Sequence, residues 1–348
     1  IQEKGTIEKD SPAFDLEGIE GQYSELTERM RQGVESPILP ITDVYANNIE
    51  NMQEGRQGLA NPLVVRTPMV TKKGTVNFIK NRDLFISEYV KDLQKSEDLK
   101  ETIVVTARVK TSDAINQAVR EKLFENAKSE PFIAGDRLRV NSPYLDKATG
   151  DSYPNGFKCR VVEVSVNKEL SDKLEVIMYQ LRVSYGKVDK DGIENQHVVT
   201  LNAASIADRD LLKQGLNKLA VRAQAYPRRS NESRAAWTEF YNIKESFVDL
   251  GYNYSVTSHK VQGSTYNSTY VVEDDFITFP GSLLQKNRMM YTAVSRPKFK
   301  LVIYNPNQEV NEASVEKLEE FANFVEQEYE DSIFPLEEDN KDYFNNCK

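Results

Sequence analysis

The sequence has few of the side chains that build covalent frameworks or metal centres. Its 348 residues include two cysteines, Cys159 and Cys347, and two histidines, His197 and His259. Two cysteines make no disulfide framework, and with so few Cys and His side chains a zinc site is not expected. The composition therefore predicts a protein of a reducing, cytoplasmic compartment, with no metal ligands in this chain.

Long apolar runs are also lacking. No run approaches the roughly 18 residues that a membrane-spanning helix needs, and residues 1–5 carry no apolar signal-peptide core. The hydrophobic fraction is 39 % and the charged fraction is 28 %, which is ordinary for a globular protein. The length allows two domains, or one domain with an insertion, and no membrane partner is expected.

A third absence concerns phosphate chemistry. The sequence contains no G-x-x-x-x-G-K-[ST] motif, and its nearest approach, at 186–188, lacks both the upstream glycine and the hydroxyl residue. The loop that grips nucleotide phosphates in P-loop proteins, and the acid that holds Mg²⁺ beside it, are therefore expected outside this chain.

A net charge of −9 would argue against a nucleic-acid partner if the acidic residues were spread evenly along the chain, but they are not. Residues 306–348 hold 13 acidic and 3 basic side chains, so the remaining chain holds 41 acidic and 42 basic ones. A near-neutral body can contain a basic groove, because the field at a site depends on local clustering. The acidic tail is expected to be a solvated terminus; the alternative is a hook for single-strand-binding or replication proteins.

The stretch from 254 to 304 carries the strongest chemical signal. Residues 256–265 (VTSHKVQGST) precede an apolar run, and residues 287–296 (NRMMYTAVSR) precede a second one. Hydroxyl residues and a glycine beside a β-like run suit a loop whose backbone approaches phosphates closely. An arginine that closes an apolar helix-like segment suits a cation held at a fixed point.

These blocks resemble motifs V and VI of the superfamily-one helicases, T-x-H-K-x-Q-G and Y-T-A-x-[ST]-R. The matching residues are Thr257, His259, Lys260, Gln262, Gly263, Tyr291, Thr292, Ala293, Ser295 and Arg296. The Gln-Gly pair of motif V and a β-rich segment upstream favour the Dda-like and RecD-like group over repair helicases of the UvrD or RecB kind. A third hypothesis, a non-catalytic single-strand-binding remnant, would require loss of the nucleotide-facing arginines, and these are present.

A weaker match lies at 23–32 (YSELTERMRQ), which resembles motif IV, L-T-E-x-x-R-Q. Alone, Glu and Arg on a helix are typical of a solvated face. Together with motifs V and VI, Arg31 takes the place of a family arginine that reaches the γ-phosphate. Residues 11–14 match the S-P-x-F that follows motif III, so the chain is expected to begin just after that motif.

The resemblance implies an ATP-dependent DNA helicase of a bacterial or phage-infected cell. It would move 5′→3′ on single-stranded DNA and unwind forked DNA in replication, recombination or repair, together with a first motor half that supplies the Mg²⁺ ligands. Arg296 and Arg31 are the implied catalytic residues at the γ-phosphate of ATP, with Gln262 and Gly263 beside the nucleotide. The implied DNA-binding residues are Thr257, Ser258, His259, Lys260 and, where the family has an asparagine after a strand, Arg108.

The predicted fold is α/β, a RecA-like second motor domain with a parallel sheet and an inserted small SH3-like β-barrel. The apolar run at 102–107 is typical of a buried parallel strand, and a helix capped by Ser112 is expected to follow it. Cations and aromatics of the insertion form either a strand-binding groove or a barrel core with solvated cations; they are Arg137, Arg139, Lys147, Lys158, Arg160, Tyr144, Tyr153 and Phe157.

The predicted boundaries divide the RecA-like domain around the insertion. They are 1–20 (remnant of the first RecA-like domain), 21–130 (second RecA-like domain, first part), 131–204 (β insertion), 205–250 (helical connector), 251–310 (second RecA-like domain, second part) and 311–348 (acidic helix and tail).

Overall fold

The computed structural model describes residues 35–63, 66–95, 102–147, 149–188 and 194–307. Within these ranges the helices are Ile38–Gln53 (α1), Arg82–Lys95 (α2), Val109–Leu123 (α3), Lys168–Leu174 (α4), Arg209–Gln224 (α5), Asn231–Lys244 (α6), Ser258–Val261 (α7), Glu273–Ile277 (α8) and Leu283–Val294 (α9). The strands are Met69–Thr71 (β1), Gly74–Ile79 (β2), Thr102–Thr106 (β3), Arg137–Val140 (β4), Tyr144–Leu145 (β5), Ser152–Tyr153 (β6), Lys158–Val166 (β7), Met178–Val188 (β8), Glu194–Ala204 (β9), Leu250–Tyr252 (β10), Ser255–Thr257 (β11), Tyr266–Val272 (β12) and Pro297–Tyr304 (β13).

Six strands form a mostly parallel sheet in the order β1-β2-β13-β12-β3-β11. Its one antiparallel pair is the β1–β2 hairpin at the edge. All five residues of β3 are buried, because one face of the sheet packs under α1 and α9 and the other under α2 and α3. A strand covered on both faces needs no polar side, which explains the continuous apolar run at 102–107 and confirms it as a buried parallel strand.

The edge hairpin depends on a glycine that touches the neighbouring strand. Gly74 has φ +150°, and a Cβ at this position would lie 2.3 Å from the carbonyl oxygen of Phe299 on β13. Any side chain here would both strain the backbone and push β2 away from β13.

Helix α3 does not begin where its sequence indicates. Ser112 was expected as the N-cap, but α3 starts at Val109 and Ser112 is buried in its first turn, so that prediction is wrong. The carboxylate of Asp275, on α8, accepts the backbone N–H groups of Ala107 and Arg108 at 2.7 and 2.8 Å. A distant carboxylate thus takes over the role of a local cap, and nothing in the sequence near α3 reveals it.

The β insertion folds as an antiparallel sheet in the order β10-β4-β7-β8-β9. Its edge strand β10 comes from beyond residue 204, and the backbone N–H of Val248 donates to the carbonyl of Asn202 at 2.8 Å, so the sheet curls back towards β9. Tyr153 is buried in its core, and Tyr144 and Phe157 pack beside it, which favours the core interpretation for these rings. The SH3-like assignment stays a prediction.

Two antiparallel helices, α5 and α6, follow the insertion and pack on α4, as the helical pattern of this region predicts. Trp237, the only tryptophan of the sequence, is half-buried on α6 against Phe240, with ring centroids 5.4 Å apart. Within the described ranges, no helix combines the length and apolarity needed to cross a bilayer.

Cys159 lies in the core of the insertion, and burial raises the pKa of its thiol to about 12. Because the thiolate is the reactive form, a Cys347→Ser variant, in which Cys159 is the one remaining thiol, is expected to resist iodoacetamide at neutral pH while folded. Mass spectrometry before and after unfolding in denaturant checks this. Rapid alkylation of the folded variant would contradict the buried placement of Cys159.

Candidate functional site

The motif V segment begins at β11, the edge strand of the parallel sheet, which pairs in parallel with β3. Thr257 and Ser258 are buried, and Val261 anchors α7 in the core under α1 and α9. Gln262 and Gly263 are exposed, and Gly263 has φ +83°, a left-handed conformation that favours glycine. The segment therefore forms a short helical turn and a tight loop. Val261 packs in the core, and the tip of the loop at Gln262 and Gly263 is exposed.

Arg296 lies where motif VI meets this loop. Its guanidinium donates to the carbonyl of Thr292 at 2.8 Å, to the hydroxyl of Ser295 at 2.9 Å and to the carbonyl of Ser264 at 3.5 Å. In return, the backbone N–H of Tyr266 donates to the carbonyl of Arg296 at 3.2 Å. The end of α9 and the end of the motif V loop are therefore in direct contact, and the side chain of Arg296 is held at a fixed point.

Helix α7 separates two cavities. His259 and Gln262 line one of about 470 Å³, between α1, α7 and α9, which Arg288 also lines. Thr257 and Lys260 line the other, of about 210 Å³, which faces α3 and the β insertion. The structure thus groups His259 with Gln262, whereas the resemblance groups His259 with Lys260. Successive residues of a helical turn point in different directions, so adjacency in the motif does not imply one face.

Arg108 points to a neighbouring helix. Its guanidinium forms an ion pair with Asp275, Nη1 to Oδ1 at 3.1 Å, and Nη2 donates to the hydroxyl of Thr278 at 3.1 Å and to its carbonyl. The side chain is 35 % exposed. A role in contacting a DNA phosphate stays a prediction, and it would compete with these internal bonds.

A buried ionic cluster joins the parallel sheet to the β insertion. Arg120 of α3 makes a two-pronged bond to Asp136, with Nε and Nη2 each 2.9 Å from a carboxylate oxygen. The hydroxyl of Tyr254, which directly precedes β11, donates to Asp136 at 2.9 Å. Asn116 also holds this segment, since its Oδ1 accepts the N–H groups of Tyr254 and Ser255. The entry to motif V is thus tied to the start of the insertion.

Sequence reasoning missed the surroundings of Lys260. The side-chain oxygen of Asn141 accepts from its Nζ at 3.3 Å, although 119 residues separate the two in the chain. Asn141 in turn donates to Asp249, which pairs with Arg209 at 3.1 Å. No local pattern announces these contacts, because they form only when β4, β10 and α5 assemble.

Arg31 and the rest of motif IV lie outside the described residues, as does the acidic tail. In the part of the chain that is described, no three His, Cys, Asp or Glu side chains are grouped so as to hold a metal ion.

No protein-family model matches the sequence. The chain is 24 % identical over 223 residues to the ATP-dependent DNA helicase dda of Enterobacteria phage T4, covering 62 % of this chain and 49 % of that protein. It is 20 % identical over 254 residues to an uncharacterized protein of Acanthamoeba polyphaga mimivirus, covering 64 % of this chain and 50 % of that protein. The chain therefore spans about half the length of these curated relatives.

Two solved structures that align with part of this chain are Pif1 helicases. That from Candida albicans is 12 % identical, with 81 % of this chain and 58 % of that chain covered and a TM-score of 0.33. Bacteroides Pif1 bound to ssDNA is 16 % identical, with 79 % and 50 % covered and a TM-score of 0.32. These scores are too low to carry an argument about the fold, which stands on the strand order and burial described above.

Proposed function

We propose that this chain is the second motor lobe of an ATP-dependent DNA helicase of the Dda-like and RecD-like group. The observation that carries the proposal is the contact between Arg296 and the motif V loop at Ser264 and Tyr266. Ser264 and Arg296, 32 residues apart in the chain, meet on one small surface, as a shared nucleotide site requires. The sequence similarity to the phage T4 helicase supports the same function.

In this proposal Arg296 and Arg31 approach the γ-phosphate of ATP, and Gln262 and Gly263 lie beside the nucleotide. A guanidinium suits the task because it stays ionised and bonds two oxygens at once. The three internal hydrogen bonds of Arg296 orient it before the nucleotide arrives, so little side-chain entropy is lost on binding. Mg²⁺ and the P-loop belong to the first lobe.

The same loop would contact single-stranded DNA through Thr257, Ser258, His259 and Lys260. Since the two ends of one loop would touch nucleotide and DNA, a change at the γ-phosphate can shift the population of strand-gripping conformations. This coupling is what 5′→3′ translocation and unwinding of a fork would need. Ser258 and His259 also line the cavity of Gln262, so they would be the two of these four residues nearest the nucleotide side of the loop.

The purified 348-residue chain is expected to bind single-stranded DNA but not to hydrolyse ATP, because the sequence lacks a P-loop. Fluorescence anisotropy with a labelled oligonucleotide measures the first property, and a coupled ATPase assay with and without that oligonucleotide measures the second. A chain that binds no single strand at low salt would contradict the proposed function. DNA-stimulated hydrolysis by the chain alone would contradict the division into two lobes.

A further inference from the structure

A small polar cavity, the junction pocket, lies where the β insertion meets motif V. It has a volume of about 210 Å³, which is ample for a phosphate group. The charged and amide side chains that line it are Asp113, Asn116, Arg139, Asn141, Arg209, Asp249 and Lys260. They come from α3, β4, α5, α7 and the segments beside β4 and β10.

Two cations of the junction pocket are bonded to the same oxygen. The side-chain carbonyl of Asn141 accepts from Arg139 Nη2 at 3.0 Å and from Lys260 Nζ at 3.3 Å. The third cation, Arg209, is held nearby through Asp249, whose Oδ1 also accepts from Asn141. Three positive groups from three different elements are thus gathered around one neutral amide.

Among the described residues, this arrangement leaves two buried hydrogen-bond donors without an acceptor. Arg139 is 8 % exposed, and its Nε has no hydrogen-bond partner within the described structure. The hydroxyl of Ser255, which also lines the junction pocket, is likewise buried without a hydrogen-bond partner among the described residues. Burial, followed by the charges of Arg139 and Arg209, lowers the pKa of Lys260. Unpaired buried donors beside converging like charges are typical of a site that is completed by a ligand.

The balance of charge indicates what that ligand is. Three cations face two carboxylates, Asp113 and Asp249, so the junction pocket carries a net charge of about +1 when all five are ionised. A phosphodiester carries a single negative charge, which matches this value, whereas a phosphate monoester carries nearly two. Thr257 and Lys260, which the proposed function assigns to the DNA strand, line the same cavity.

We propose that the junction pocket binds one backbone phosphodiester of the single-stranded DNA, with Arg139 of the β insertion and Lys260 of motif V on the same phosphate. This inference rests on the proposed function and adds to it a contact that joins two modules. The insertion would then hold the strand at the loop that senses the nucleotide, and its grip would change when that loop moves.

The test measures binding of a labelled single-stranded oligonucleotide to the 348-residue chain over a series of salt concentrations. Arg139→Gln is expected to weaken binding several-fold and to lower the slope of log K against log[salt] by about 0.7, the value for one lost phosphate contact on a single strand. Arg209→Gln, at the more exposed rim of the junction pocket, should act in the same direction. Arg182→Gln removes the same charge from an exposed ion pair on β8 and serves as the matched control.

Thermal unfolding of each variant identifies any that fails to fold, and the Arg209 variant then carries the test. Wild-type binding with both pocket variants equal to the Arg182 control would overturn the phosphodiester site and leave the proposed function standing. Absence of single-strand binding by the wild-type chain would overturn both. If inorganic phosphate raises the melting temperature of the wild type but not of Arg139→Gln, while both bind DNA equally, the pocket takes free phosphate and the strand contact is wrong.

Discussion

In the two-lobed helicase of the proposed function, replacing Arg296 by alanine is expected to lower ATP turnover by a factor of about 10³–10⁵, the range that arginine fingers contribute in nucleotide hydrolases. Alanine removes a guanidinium that hydrogen bonds to Thr292 and Ser295 hold beside the motif V loop, where it also donates to the carbonyl of Ser264. Steady-state hydrolysis in the presence of saturating single-stranded DNA measures the effect. Binding of that DNA is expected to stay close to wild type.

Two further variants make this experiment decisive. Lys260→Ala should mainly affect DNA binding: it should lower DNA affinity and the salt dependence of that affinity more than it lowers turnover at saturating DNA. The reason is that Lys260 lines the cavity facing the β insertion, on the side of α7 away from Gln262. Arg182→Ala, an exposed arginine of the β insertion paired with Glu163, should change neither quantity. If Arg296→Ala abolished DNA binding and preserved hydrolysis, the roles assigned to motifs V and VI would have to be exchanged.

The buried parallel strand and the helical connector could be predicted from the sequence because their signals are local. The apolar run at 102–107 contains β3, and the helical connector predicted at 205–250 contains α5 and α6. The contact between motifs V and VI could also be anticipated. Motif V directly precedes β12 and motif VI directly precedes β13, and these two strands lie side by side in parallel. Periodicity and strand adjacency are enough for these features.

Contacts between distant segments could not be predicted in the same way. Asp275 holds both the start of α3 and the guanidinium of Arg108, so one carboxylate on α8 displaced the expected cap at Ser112 and drew Arg108 into an ion pair. Arg139 was one of several cations in the insertion, and only the assembled sheet brings it to Lys260 through Asn141. Charge counts reveal which residues are available, but pairing depends on the tertiary fold.

The second large effect concerns the buried cluster that joins the insertion to motif V. Asp136→Ala is expected to lower the free energy of unfolding by about 3–5 kcal/mol, because it leaves the guanidinium of Arg120 buried without its carboxylate. Arg120 is 1 % exposed and Asp136 fully buried, so water cannot replace the lost partner without opening the fold. Denaturant unfolding followed by far-UV circular dichroism and by Trp237 fluorescence measures the change, with Trp237 reporting from α6.

A double replacement separates the ion pair from simple loss of packing. Arg120→Met with Asp136→Ala removes both charges, so the double variant should be less destabilised than the sum of the two single variants. Tyr254→Phe removes one hydrogen bond to Asp136 and keeps the charges, so it should lower stability by only about 1 kcal/mol. Arg182→Ala, from the exposed pair with Glu163, should change it by less than about 0.5 kcal/mol. Additive effects of Arg120→Met and Asp136→Ala would mean that the two side chains stabilise the junction independently, and the cluster would then not be the link between the insertion and the parallel sheet.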